Sequence, residues 1–427
     1  MQAPASHTTP IAVRILGCGM PLLVEPMVGV RTAAISWLLP VGNAADPEGE
    51  AGDGWSSMLA EMAQRGAGGR SSRDFSDALD RAGVQRAVTP ATVHTVVSAT
   101  TIGARIDETL PLLADLVLRP HMPAESIDAV RSLAIQSLES LQDDPQHRVG
   151  LRLRELHLPP PFNRTGYGNR AAYERATHDQ LLAHWARRVR PVGSILAVAG
   201  DVDPDALASQ LDRLLAGWHG EAQDVSASGL RQGGFLHETD ESNQTHLAVA
   251  LDAPSEREPD SLLCRLATII LGGESSSRLF AEVREKRGLC YSVNAGYAGG
   301  RDRGMVALYA GSTPERAQET LDTVMHELEH FEHGVGEGEF RRAVIGMKSR
   351  LVMQGESTAA RAAALASDWY RLGRCRPLGE LAAEVDAVTL DRLNGWIASS
   401  MDARWRSSLS MCTVGKQPLR YGAGMHV

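Results

Sequence analysis

A chain of 427 residues is too long for one ordinary core, so two domains or one duplicated unit are expected. Its 43% hydrophobic and 22% charged residues are those of a globular protein, and a net charge of -9 argues against nucleic-acid or anionic-membrane binding. Five scattered cysteines (Cys18, Cys264, Cys290, Cys375, Cys412), odd in number and without CxxC spacing, argue against a disulfide framework and against a thiolate metal site.

The first residues have no basic start and no sustained apolar run. No stretch of about 18 apolar residues follows to span a bilayer. A cytoplasmic protein is expected.

From there the chain reads as one unit written twice. The first half opens with a strand pattern, RTAAISWLLPVG from Arg31, and a helix pattern, GWSSMLAEMAQRG from Gly54. A Ser-capped helix, SSRDFSDALDRAG from Ser71, and an alternating strand, TVHTVVSATT from Thr92, come next. Two helices are predicted near 105–118 and 125–142, then a capped helix from Thr177 and a strand in GSILAVAGDVD. Residues 221–234, EAQDVSASGLRQGG, lack apolar periodicity and read as a linker between domains at 1–220 and 235–427.

The second half repeats this order. Its strand is QTHLAVALDAP from Gln244, and its helix is DSLLCRLATIILGG from Asp260. SSRLFAEVREKRG from Ser276 reads as another Ser-capped helix, and GMVALYAGST from Gly304 as the next strand. Helices near 314–331 and 338–352, a capped helix from Thr389 and a strand in WRSSLSMCTVG close it. The shared T-x-D-x-L at Thr177 and Thr389, with Trp185 and Trp396 nearby, is the most legible trace of duplication. Two homologous α+β domains follow from this pattern, and ligands of such pairs favour the cleft between domains.

Four segments carry a resemblance over nearly the whole chain: QDDP at Gln142, PPPFNRTGYGN at Pro159, RPVGSILAVAGDVDP at Arg190 and LGGESSSRLFAEVREKRGLCYSV at Leu271. In this order the chain resembles the pitrilysin and mitochondrial-processing-peptidase family of inverted zinc peptidases, in particular its small bacterial two-domain members. The resemblance implies two homologous α/β-sandwich domains per subunit, and subunits paired as a clamshell around a peptide chamber.

Active members carry H-x-x-E-H on the first-half helix, two histidines holding zinc and the glutamate serving as general base. That pattern falls here on Ser57, Ala60 and Glu61, with Ala60 in the base position. The third ligand position falls on Ser137, with Gln136 and Glu139 as neighbours. Catalytic zinc takes three protein ligands and an open position for water, and a methyl group accepts no proton. The chain is therefore expected to bind no metal and to leave zinc to a partner subunit.

A literal H-x-x-E-H, His326 to His330, lies elsewhere. Leu321, Val324, Met325, Leu328 and Phe331 form the apolar stripe of its helix. At about 100° per residue, His326 and His330 lie roughly 140° and 180° from Leu321, so both are expected in solvent.

The resemblance also implies that Arg284 and Tyr291 project into the chamber of a zinc-binding partner. A guanidinium and a phenol O–H suit the negative charge that develops on a scissile carbonyl oxygen. Taken alone, Arg284 belongs to a charge run and Tyr291 alternates with Val293, which reads as core packing. Two further regions could touch substrate, a tight backbone turn at Gly272-Gly273-Glu274-Ser275 near the cleft and an edge strand at 294–297 that could pair with an extended peptide; a structural turn and an ordinary strand are the plainer readings.

The reading implied is a non-catalytic, substrate-binding subunit of a heterodimeric zinc endopeptidase. Its substrates would be small or unfolded peptides, such as the precursor of pyrroloquinoline quinone. A non-enzymatic assembly protein of the same fold is the alternative. A self-sufficient metalloenzyme using His326 and His330 conflicts with their helical phase.

Overall fold

The computed structural model describes residues 10–49, 52–400, 405–422 and 425–426. Helices and mixed sheets build two compact units of the α+β class. One unit gathers residues up to 139, 164–228 and 353–379; the other gathers 140–163, 229–352 and residues from 380 onward. Each contiguous half, 1–220 or 235–427, therefore gives up one segment to the other unit. Residues 222–233 hold no helix or strand.

In the first unit the described strands are β1 (Ala12–Ile15), β2 (Pro21–Pro26), β3 (Thr32–Leu39), β4 (Gln85–Pro90), β5 (Thr95–Ile102) and β6 (Ile195–Gly200). They form one sheet in the order β1-β2-β6-β3-β5-β4, with β2 and β6 parallel and the other pairs antiparallel. Its helices are α1 (Trp55–Met62), α2 (Ser72–Arg81), α3 (Ile106–Leu118), α4 (Ile127–Ser140), then α6 (Arg170–Arg175), α7 (His178–Arg188) and α8 (Pro204–Leu214). Helix α5 (Pro145–His157) belongs to the other unit. Trp37, Met58, Leu59, Phe75, Leu113, Leu116 and Trp185 share one buried cluster between sheet and helices.

In the second unit β7 (Gly234–Thr239), β8 (Thr245–Ala253), β9 (Cys290–Gly299), β10 (Gly304–Ser312) and β11 (Ser410–Gly415) take the order β7-β11-β8-β10-β9. Here β7 and β11 are the parallel pair. Position for position this repeats β2-β6-β3-β5-β4, so the duplication read from the sequence is a duplication of topology. The second unit's helices include α9 (Ser261–Thr268), α10 (Ala317–His330), α11 (Glu337–Gly355), α13 (Leu378–Asp386) and α14 (Leu390–Ser400); α12 (Thr358–Leu372) belongs to the first unit.

The exchanged helices follow from the sheets. A sheet buried on both faces needs cover on both, and its inner strands read as continuous apolar runs. β6, ILAVAG, is buried at every residue. Its second face is covered by α12: Leu365 and Ala366 pack on Leu23, Leu38, Ile195 and Ala197, and Ala362 packs on Ala34 and Ala199. Alanines on helix and sheet permit this close approach. Arg361 of α12, 1% exposed at its side chain, meets Glu25 of β2 through Nε at 2.8 Å and Nη2 at 2.7 Å. In the second unit α5 does the same work. Val149 and Leu153 pack on Ala248, Ala250, Cys412 and Val414, while Arg148 and Arg152 reach Glu238 on β7 at 2.8 and 2.6 Å.

Local signals hold where the side chain caps its own helix. Ser71 accepts from the Asp74 N–H at 3.2 Å, Thr177 forms a capping box with Gln180, and Thr389 accepts from the Arg392 N–H at 3.2 Å. The expected cap at Ser276 fails. That helix starts at Arg278 and is π-wound over Phe280–Lys286, and the hydroxyl of Ser277, the residue before its start, is buried without a partner. Among the described residues no helix is long and apolar enough to cross a membrane.

Removing one member of a buried pair strands the other charge. Arg361→Ala should lower unfolding free energy in urea by about 3–5 kcal/mol. Lys348→Ala, which breaks the exposed 2.7 Å pair with Asp386, should change it by less than about 1 kcal/mol.

Candidate functional site

Helix α1 is set by its first turn. Gly54, at φ 97°, lies where a Cβ would stand 2.6 Å from the Tyr173 hydroxyl, so only glycine fits. Asp46 accepts from the Gly54 N–H (3.0 Å), the Ser56 N–H (2.8 Å) and the Ser56 hydroxyl (3.1 Å). Burial pushes the Asp46 carboxyl up to about 8, against the pull of these N–H groups and of Arg164. Arg164 donates to the carbonyls of Asn43, Asp46 and Pro47 at 3.1, 2.7 and 3.1 Å, closing the loop over the helix start. Neither Asp46 nor Arg164 stands out in the sequence, because their partners, mostly backbone groups, lie more than a hundred residues away or across a loop.

The positions at which the resemblance leads one to expect zinc ligands have other partners. Ser57 donates its hydroxyl to the Gly166 carbonyl at 2.7 Å. Ala60 is 3% exposed, and its carbonyl accepts from Gln64, which accepts in turn from Arg86 at 2.6 Å. Glu61 pairs with Arg65 at 2.7 Å, and its charge is also felt by Arg86. The cations beside Glu61 are thus the chain's own guanidinium groups. Ser137 and Gln136 lie exposed on α4, and Glu139 pairs with Arg170. Among the described residues no three His, Cys, Asp or Glu side chains are grouped to hold a metal ion.

His326 and His330 both lie on the exposed side of α10, while Leu321, Val324, Met325, Leu328 and Phe331 are buried. Their rings stack at 6.0 Å, with the His333 ring 5.0 Å beyond.

Arg284 and Tyr291 are both exposed, Tyr291 at 64%. The charge run around Arg284 sorts itself out. Glu282 takes Lys286 at 2.5 Å, and Arg287 donates to Thr323 at 3.1 Å. The Arg284 side chain makes no protein hydrogen bond or ion pair among the described residues, and its guanidinium lies 4.7 Å from the Phe280 ring centroid. Its charge is felt at Cys290, whose thiol burial pushes up to about 11, so the cation lies near the start of β9.

Tyr291 corrects the alternation reading. Val293 and Ala295 face the core, and simple period-two spacing would bury Tyr291 beside them. Cys290 pairs with Ser312 and Ser292 with Gly311, so Tyr291 is the extra residue of a β-bulge. A bulge changes which face the following residues present, and here it turns the phenol outward. No local residue pattern announces it, because a bulge is a mismatch between two strands.

Among the described residues β9 ends its sheet and pairs with β10 alone, and Asn294, Gly296 and Ala298 are exposed along it. Gly272 lies against its other side: a Cβ there would meet the Ala295 nitrogen at 2.6 Å, so the glycine is required by close approach to β9. Glu274, next in that turn but one, pairs with Arg350 at 3.3 Å.

Residues 175–347 match the family described as Peptidase M16 inactive domain. An uncharacterized zinc protease of Mycobacterium leprae is 24% identical over 415 residues, covering 95% of this chain and 92% of its own. Among solved structures, a peptidase M16 inactive domain from Pseudomonas fluorescens superposes with a TM-score of 0.84 at 20% identity, over 97% of this chain and 99% of the other. A chain of complex III2 from Candida albicans gives 0.78 at 17% identity, over 95% and 96%.

The scaffold of α1 carries a pH signature of its own. His184, 2% exposed, sets its ring edge-on to Trp55 at 5.7 Å. Burial, then Arg187 and Arg188, lower it from 6.5 to about 4. Between these values the unfolded chain binds a proton that the folded chain refuses, so stability rises with pH there. It should be full above about 6.5, fall as pH drops toward 4 and then level. Urea unfolding of His184→Gln across this window should show a flatter pH dependence than the parent chain.

Proposed function

We propose that this chain belongs to the M16 (pitrilysin) peptidase family and is a substrate-contacting, non-catalytic subunit that works beside a homologous zinc-binding chain. The partner would supply zinc and the general base through H-x-x-E-H, and this chain would hold no metal of its own. Arg284 and Tyr291 would reach the partner's active site and donate to the scissile carbonyl oxygen or the adjacent backbone. Substrates would be small or unfolded peptides, laid as an added strand along β9. A precursor peptide such as that of pyrroloquinoline quinone fits this class. The setting proposed is the cytoplasm.

The observation that carries the reading is a contrast in partners. At α1 the ligand-position side chains are engaged, Ser57 with a carbonyl and Glu61 with Arg65. On the second unit a guanidinium and a phenol stand exposed with no hydrogen bond to protein among the described residues. Surface groups held this way are available to a ligand.

A non-enzymatic assembly role is the second reading, favoured by the likeness to a chain of complex III2. Cleavage separates the two. Mixed with the homologous zinc-binding chain of the same organism, the protein should support cleavage of an unstructured fluorogenic peptide. Arg284→Ala and Tyr291→Phe should each lower kcat about 100- to 1,000-fold while leaving the complex assembled on a sizing column. Cleavage at the parent rate by both variants would leave the assembly role standing.

A further inference from the structure

The repeat places Ser71-Ser72-Arg73-Asp74-Phe75 opposite Ser276-Ser277-Arg278-Leu279-Phe280, and Leu79 opposite Arg284. In α2 the buried residues are Phe75 and Leu79. In the second unit they are Leu279 and Val283, both 0% exposed, one step earlier. One step is about 100° around a helix. The π-wound turns of Phe280–Lys286 accompany this change of phase, and such turns recur at functional sites. The pair that is core in one unit, an aromatic and the residue four later, is thereby carried toward the surface in the other.

The two residues then meet. Phe280 is half-buried and packs against the second unit's core, which fixes its ring. The Arg284 guanidinium lies over that ring at 4.7 Å, within cation–π range. A stacked guanidinium keeps its N–H edges open for a planar acceptor and gives up its rotamer freedom before a ligand arrives. Glu282, two residues away, is occupied by Lys286, so it leaves the arginine undiverted.

The geometry points to Phe280 as the positioning residue for Arg284: its ring is the shelf that holds the guanidinium toward substrate. This assignment rests on the substrate-contacting role given to Arg284 above. Phe280 itself touches no reacting atom. It acts through the arginine, whose charge reaches the start of β9 where Tyr291 turns outward.

The test is a double-mutant cycle in the assembled complex with an unstructured fluorogenic peptide. Phe280→Leu keeps apolar volume and removes the aromatic face; it should lower kcat about 2- to 5-fold with KM near the parent value. Phe280→Tyr should restore kcat. In an Arg284→Ala background, Phe280→Leu should cost nothing further, because the shelf then holds nothing. An equal loss from Phe280→Leu with and without Arg284, or a parent-like kcat for Phe280→Leu while Arg284→Ala is impaired, overturns the shelf and leaves the substrate role intact. Parent-like cleavage by Arg284→Ala itself removes the substrate role and the shelf with it. Thermal unfolding of each isolated variant separates these outcomes from misfolding: a melting point within a few degrees of the parent is expected, because Arg284 is exposed and Phe280→Leu keeps an apolar side chain at a half-buried position.

Discussion

The large sheet of each unit has two buried faces, and helices interleaved with its strands cover one of them. The rest of the structure depends on how the second face is covered. Helix α5 leaves the first half to lie on the second sheet, and α12 leaves the second half to lie on the first. Both exchanged helices bring small or branched apolar residues for contact and arginines for register. Arg361 meets Glu25 on β2, and Arg148 and Arg152 meet Glu238 on β7. A charge pair at the margin of an apolar contact discriminates against sliding, since a shifted helix would strand a buried charge.

That arrangement separates scaffold from chemistry. Helix α1 is anchored by Asp46, Arg164 and Tyr173 and by its own apolar face, none of which depends on a metal. Ser57 links the helix to the Gly166 carbonyl, and Glu61 is half of an ion pair with Arg65. The methyl group of Ala60 joins the buried side.

The second unit uses the same topology differently. A one-step change of helical phase carries Phe280 and Arg284 outward, and one extra residue in β9 carries Tyr291 outward. Both devices alter phase without altering strand order. The unit thus keeps the architecture of its counterpart while presenting a cation where the counterpart buries Leu79, and a phenol at the start of β9.

Periodicity, caps and self-similarity along the chain determined the repeat, the class of fold and the solvent face of His326 and His330, because each of these is a property of residues a few positions apart. Only the family resemblance, and no local pattern, singles out Ser57, Ala60, Glu61 and Ser137. Only the tertiary structure decided which unit α5 and α12 serve, which side Tyr291 faces and what Arg284 rests on. The physical reason is common to all three. An exchanged helix and a bulge are set by pairing between distant segments, and the exposure of Arg284 is set by the phase in which its π-wound helix meets the core.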